Sequence, residues 1–104
     1  MRGDVHALPA PRGRRGHEQA GRRFAVVLQN DDLPLSTLLI APTSTSARAT
    51  SFRPEIVVAG RRTLVMAEQT TAVTPSRLGP VVGHLTRQEL ADVQHALRAV
   101  LDLS

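Results

Sequence analysis

Short apolar runs separated by polar, glycine- and proline-containing stretches occupy most of the chain, and one helical periodicity closes it. Arg2 to Leu8 predicts a short extended segment stopped at Pro9, and Pro9 to Gly21 (P-A-P-R-G-R-R-G-H-E-Q-A-G) a loop. Phe24 to Gln29 is a continuous apolar run of strand length, ended by the turn-forming Asn30-Asp31-Asp32. Thr37 to Ala41 repeats that theme, and Pro42-Thr43-Ser44-Thr45-Ser46 predicts a polar loop after it. Arg53 to Val58, the turn Ala59-Gly60 and Arg62 to Ala67 read as a hairpin. Val73 to Arg77 predicts a turn, and Val81 to Leu85 a last short strand.

The end of the chain changes period. Thr86 and Glu89 stand at the N-cap and N3 positions of a capping box, with Leu85 and Leu90 placed for a hydrophobic staple. Leu90, Val93, Leu97, Val100 and Leu101 then fall at helical spacing, predicting one buried stripe. Six or seven short strands and one C-terminal helix predict a mainly β protein: a small, mostly antiparallel barrel with the helix packed against it. At 104 residues this is a single domain, 1–104, with room for one modest core.

Composition narrows the picture. Phe24 and Phe52 are the only aromatics, so the core must come from Val, Leu, Ile and Ala, and burial in an oligomer would help such a chain. Without cysteine there is no thiolate nucleophile and no Cys-based zinc site. No apolar stretch reaches membrane-spanning length and the start M-R-G-D-V-H is not a secretory signal, so a cytoplasmic protein is expected. The net charge of +4 is carried entirely by arginine, and ten of the thirteen arginines fall between Arg2 and Arg62. Guanidiniums fork onto phosphates and stack on bases, which suits a nucleic-acid partner; a GC-rich genome would give the same bias.

The candidate chemistry gathers in Gly16 to Asp31, G-H-E-Q-A-G-R-R-F-A-V-V-L-Q-N-D, where a glycine-bounded loop carries Glu18, Gln19, Arg22 and Arg23 into an apolar strand. Arg23, fixed by the strand that follows, can bind a phosphate and stabilise a dianionic transition state without a metal. The plainer alternative is a salt bridge to Glu18 or Asp31. Thr43 stands where a hydroxyl and backbone N–H groups can hold a phosphate oxygen, or simply close a turn with Ser44 and Thr45. Glu68-Gln69 follows the apolar L-V-M-A and reads equally as a structural hydrogen-bonding pair. The histidines His6, His17, His84 and His95 lack metal-ligand spacing, and no phosphate-loop or nucleophile-elbow motif is present. Without Trp or Tyr, base recognition would rest on hydrogen bonds, arginine planes and pocket shape.

The segment Gly16–Asp31 resembles the signature of the MazF/PemK toxin family, roughly G-S-E-Q-x-G-x-R-P-x-V-V followed by a strand-end polar residue. R-G-D-V near the start, I-A-P-T, the Glu68-Gln69 pair, R-L-G with V-G-x-L, and the final helix extend the likeness over nearly the whole chain. Phe24 stands where the family has proline, His17 where serine is common, and His6 and Ala7 replace a first-strand aromatic. The resemblance implies a Src-homology-3-like barrel of the PemK/CcdB toxin kind that forms a homodimer. It also implies a cofactor- and metal-free endoribonuclease that cuts single-stranded RNA, leaving 2′,3′-cyclic phosphate and 5′-hydroxyl ends, and so blocks translation and growth. Arg23, Thr43 and Glu18 would be its catalytic residues, with Gln19, Arg22, Ser44, Thr45, Glu68 and Gln69 binding RNA. A cognate antitoxin would lay its C-terminal segment over the RNA groove. The alternatives are a gyrase-poison-like toxin, or a family member that binds RNA or antitoxin without cutting.

Overall fold

The computed structural model describes residues 1–9 and 23–103. Among them are seven strands: β1 (Asp4–Ala7), β2 (Phe24–Val27), β3 (Leu38–Ser44), β4 (Glu55–Val58), β5 (Arg61–Val65), β6 (Thr71–Val73) and β7 (Val81–His84). The helix α1 (Arg87–Leu101) follows, and 3-10 turns at Ala67–Gln69 and Pro75–Arg77 flank β6. The strands form one antiparallel sheet in the order β4-β5-β3-β2-β1-β7, with β6 also paired to β3. This is the mainly β half-barrel with a C-terminal helix that the pattern predicts.

β2 explains why its sequence is apolar without alternation. All four of its residues are buried because both of its faces are covered. Phe24 and Val26 join Val5, Ala41, Ile56, Val58, Val65, Leu85 and Val93 on the helix side. Ala25 and Val27 join Ile40 on the other side, beneath Leu8, Leu38, Val73 and Leu78. β3 is the hub. Ile40 to Pro42 pair with β2, Leu38 to Ile40 with β6, and Thr43 and Ser44 with β5.

Several boundaries differ from the sequence expectation, each for a local reason. Pro42, Thr43 and Ser44 belong to β3 and not to a polar loop. Pro42 takes part in the sheet through its carbonyl, which accepts from Met66 N, and Thr43 is buried opposite Val65. The turn begins at Thr45, three residues later than its polar composition suggests, and there Ser44 Oγ accepts from the backbone N–H of Ser46 and Ala47. The hairpin strands are shorter than expected, with β4 starting at Glu55 and β5 ending at Val65. Ala59 and Gly60 form its turn with φ of 52° and 79°, the left-handed pair a tight hairpin requires. Val73 closes β6, a strand absent from the sequence reading, and the expected turn survives as Pro75–Arg77. Gly79 passes so close to β1 that a Cβ would stand 3.0 Å from Ala7 O, which the small residues at both positions permit.

The capping box is formed as expected. Thr86 Oγ1 accepts from Glu89 N at 3.0 Å, and Glu89 Oε1 accepts from Thr86 N at 2.9 Å. The buried stripe is a correction: Val93 and Ala96 are buried and Leu90 and Leu97 partly so, but Val100 and Leu101 are exposed, because core contact ends at Leu97. Glu89 does more than cap, since its Oε2 accepts from Val57 N of the edge strand β4 at 2.9 Å. One carboxylate therefore ties the helix start to the sheet edge. Glu89→Ala is expected to destabilise the fold by about 1–2 kcal/mol, the order of a lost cap with an added backbone tie. Urea unfolding measures this, and a loss below about 0.3 kcal/mol would contradict the dual role.

Candidate active site

The site begins at the peptide between Arg23 and Phe24. Arg23 leads directly into β2, with its carbonyl accepting from Leu8 N and its side chain partly exposed. The next N–H, of Phe24, donates to Thr43 Oγ1 at 3.1 Å. Thr43 is 0% exposed, so this bond is made in a buried setting where an unpaired N–H would be costly. Accepting it leaves the threonine's own proton available to donate. The structure thus brings Arg23 and Thr43, 20 residues apart by number, to one place at the head of β2.

Strand register extends the site sideways. The β2–β3 ladder ends at Ala25 and Pro42, and beyond it Phe24 N turns to the Thr43 side chain while Thr43 and Ser44 pair with β5. β3 and β5 pair Ser44 with Leu64, and β4 and β5 pair Leu64 with Glu55. Ser44, Leu64 and Glu55 form a row across three strands, beginning one residue after Thr43. With neighbouring strands about 4.8 Å apart, the row spans about 10 Å. Thr45, exposed, follows Ser44 at its edge.

Glu68 and Gln69 sit in the 3-10 turn after β5, which Met66 N joins to β3 by donating to Pro42 O. Gln69 is exposed. Glu68 is held in an ion pair: Arg53 Nε and one terminal nitrogen donate to Glu68 Oε2 at 3.0 and 2.7 Å. The other terminal nitrogen of Arg53 donates to Arg48 O, and its guanidinium lies 5.4 Å from the Phe52 ring centroid. Arg53 therefore pins the β3–β4 connection to the 3-10 turn beside the site. Sequence reading places Arg53 at a strand start, and nothing in its surroundings along the chain signals a partner 15 residues away.

Three expected site residues, Glu18, Gln19 and Arg22, lie outside the described residues. His6, which replaces a family aromatic, has its Nδ1 2.9 Å from Gly79 O and serves the β1–β7 contact.

Arg53 hydrogen bonds hold the Glu68 carboxyl below its ordinary value of 4.5. A carboxylate with a depressed folded-state value stabilises the fold above its unfolded value, and that stability is lost as pH falls through the folded value. The stability gap between wild type and Glu68→Gln is therefore expected to stay level near neutrality and to narrow as pH drops below about 4.5. A gap independent of pH down to 3 would contradict the pair; denaturant midpoints across that range measure it.

The chain matches, over residues 1–101, the family model of PemK-like, MazF-like toxins of type II toxin–antitoxin systems. A Mycobacterium tuberculosis protein named as a candidate toxin, Rv3098A, is 38% identical over 104 residues, covering 99% of this chain and 98% of its own. Among solved structures, a mycobacterial endoribonuclease in complex with its cognate antitoxin superposes with a TM-score of 0.78 at 16% identity, covering 100% of this chain and 96% of that one. The Mycobacterium tuberculosis toxin MazF-mt6 gives 0.76 at 16% identity, covering 97% and 98%. MazF in a MazE–MazF complex from Deinococcus radiodurans gives 0.71 at 21% identity, covering 99% and 95%. At these identities the structural likenesses speak for the fold.

Proposed function

We propose that this chain, which belongs to the PemK-like, MazF-like toxins of type II toxin–antitoxin systems, is a metal-independent endoribonuclease that cuts single-stranded RNA at a short sequence. The observation that carries the reading is the meeting of Arg23 and Thr43 at the head of β2, joined through the Phe24 N–H. The ribose 2′-oxygen attacks the adjacent phosphorus, the bond to the 5′-oxygen breaks, and that oxygen leaves protonated. The products are a 2′,3′-cyclic phosphate and a 5′-hydroxyl. Arg23 holds the phosphate, stabilises the charge that develops on it and supplies the leaving group's proton. The Thr43 hydroxyl donates to a phosphate oxygen. Glu18 orients the guanidinium or takes the 2′-hydroxyl proton.

Gln19, Arg22, Ser44, Thr45 and Gln69 line the path of the RNA in this reading, and Glu68 contributes by holding Arg53. The toxin acts in the cytoplasm as a homodimer. Its antitoxin covers the RNA groove with a C-terminal segment whose acidic residues compete with phosphates for the arginines. A second reading, RNA binding without cutting, draws on the complete burial of Thr43, whose hydroxyl must be reached by the phosphate for cleavage.

Incubating purified protein with mixed-sequence single-stranded RNA in excess EDTA separates the two. Discrete cuts ending in 2′,3′-cyclic phosphate are expected, slowed about 10²–10³-fold by Arg23→Ala, as for loss of one transition-state donor. An Arg23→Ala protein that cuts at the wild-type rate contradicts the assignment. RNA binding with no cuts favours the second reading.

A further inference from the structure

A shallow cavity of about 220 Å³ opens at the far end of the cross-strand row. Its lining includes Ser44 and Thr45 on one side, Glu55 and Arg62 on the other, with Leu64 and Ala49 between. Drug-sized ligands occupy pockets of roughly 300–1,000 Å³, so this one suits a smaller, flat group. Ser44 and Thr45 directly follow Thr43, and Leu64 links Ser44 to Glu55 in register, so the cavity continues the candidate active site.

The wall of this cavity is built. Ser44 Oγ accepts from Ser46 N and Ala47 N and so shapes the turn that carries Thr45. Arg53, braced on Glu68, donates to Arg48 O and holds the same connection at Ala49. The mouth carries a loose pair of opposite charges. Arg62 Nε and Glu55 Oε2 stand 3.4 Å apart, with side chains 80% and 51% exposed. That distance is beyond a good N–H···O bond, and an exposed pair of this kind holds together weakly. A ligand offering a donor pair and an acceptor on one edge can displace it without leaving either charge unsatisfied.

We propose that this cavity is a guanine-reading subsite for RNA bound at the Arg23–Thr43 site, an inference that rests on the ribonucleic-acid reading above. The guanine edge presents N1–H and N2–H donors beside the O6 acceptor, and in single-stranded RNA that edge is open to contact. Glu55 accepts from N1–H and N2–H, Arg62 donates to O6, and the base lies over Leu64 in a site with no aromatic to stack on. Uracil, adenine and cytosine each carry a single donor group on that edge with an acceptor beside it, so none offers the adjacent pair that Glu55 needs. Specificity thus comes from hydrogen bonds and shape.

The test is equilibrium binding by fluorescence anisotropy. It uses a guanine-containing 2′-O-methyl oligonucleotide, which has no attacking 2′-hydroxyl and so is not cut, and its counterpart with inosine at the same positions, which lacks only the N2 amino group. Both are measured with wild type and Glu55→Ala, a change at a half-exposed edge-strand position that leaves the core untouched. Wild type is expected to bind the guanine strand on the order of tenfold more tightly than the inosine strand, and Glu55→Ala to bind both alike. Equal binding of the two strands by wild type, or discrimination that survives Glu55→Ala, overturns the subsite. Cleavage of the same two sequences as unmodified RNA is scored separately. Guanine discrimination without cleavage supports the subsite while removing the nuclease reading, and cleavage without discrimination does the reverse.

Discussion

The hydrogen bond from Phe24 N to Thr43 Oγ1 holds the candidate site in register. At the head of β2 a backbone N–H sits against a core side chain, and water cannot reach it to compensate. A threonine hydroxyl on the neighbouring strand supplies the acceptor. That choice fixes which residue of β3 stands beside Phe24, and thereby holds the Arg23–Phe24 peptide at Thr43. A slip of one residue would turn every side chain of β2 to its other face, but β2 is apolar on both faces and would object little. The register of this strand therefore leans on a specific polar contact more than on an alternating pattern.

From that anchor the rest of the site follows by sheet geometry. β3 passes the row to β5 at Ser44–Leu64, β5 passes it to β4 at Leu64–Glu55, and Glu89 secures β4 to the helix start through Val57 N. Arg53 and Glu68 hold the β3–β4 connection from the opposite side. A chain with two aromatics builds a functional surface here from short side chains, arginines and hydroxyls on a stiff sheet. In the ribonuclease reading, the arginine surplus, with ten of the thirteen placed by Arg62, supplies the attraction for phosphate that the missing stacking residues cannot.

What the sequence disclosed follows the physics of range. The helix start was legible because a capping box and staple are local, and the structure forms them at Thr86 and Glu89. β2 was legible because a buried strand between two covered faces needs an uninterrupted apolar run. The far end of β3 was not: Pro42, Thr43 and Ser44 have the composition of a turn, and only tertiary partners make them a strand. Arg53 and Glu68, or Glu55 and Arg62, are set together by hairpin register and loop closure, which no local pattern encodes. The exposed Val100 and Leu101 show the converse, a periodicity that continues past the last residue the core can cover. Arg23 and Thr43 were identified through family resemblance, and the structure adds the contact that joins them.

Replacing the Thr43 hydroxyl while keeping its shape separates the hydrogen bond at the head of β2 from the packing around it. Thr43→Val leaves the buried Phe24 N–H without its acceptor, and Thr43→Ser restores a hydroxyl with a methyl fewer. The valine protein is expected to stay folded but to lose about 1–3 kcal/mol of stability in urea. RNA cleavage is expected to fall at least a hundredfold in the valine protein and largely to recover in the serine one. A valine variant as stable and as active as wild type would contradict the role given to the hydroxyl.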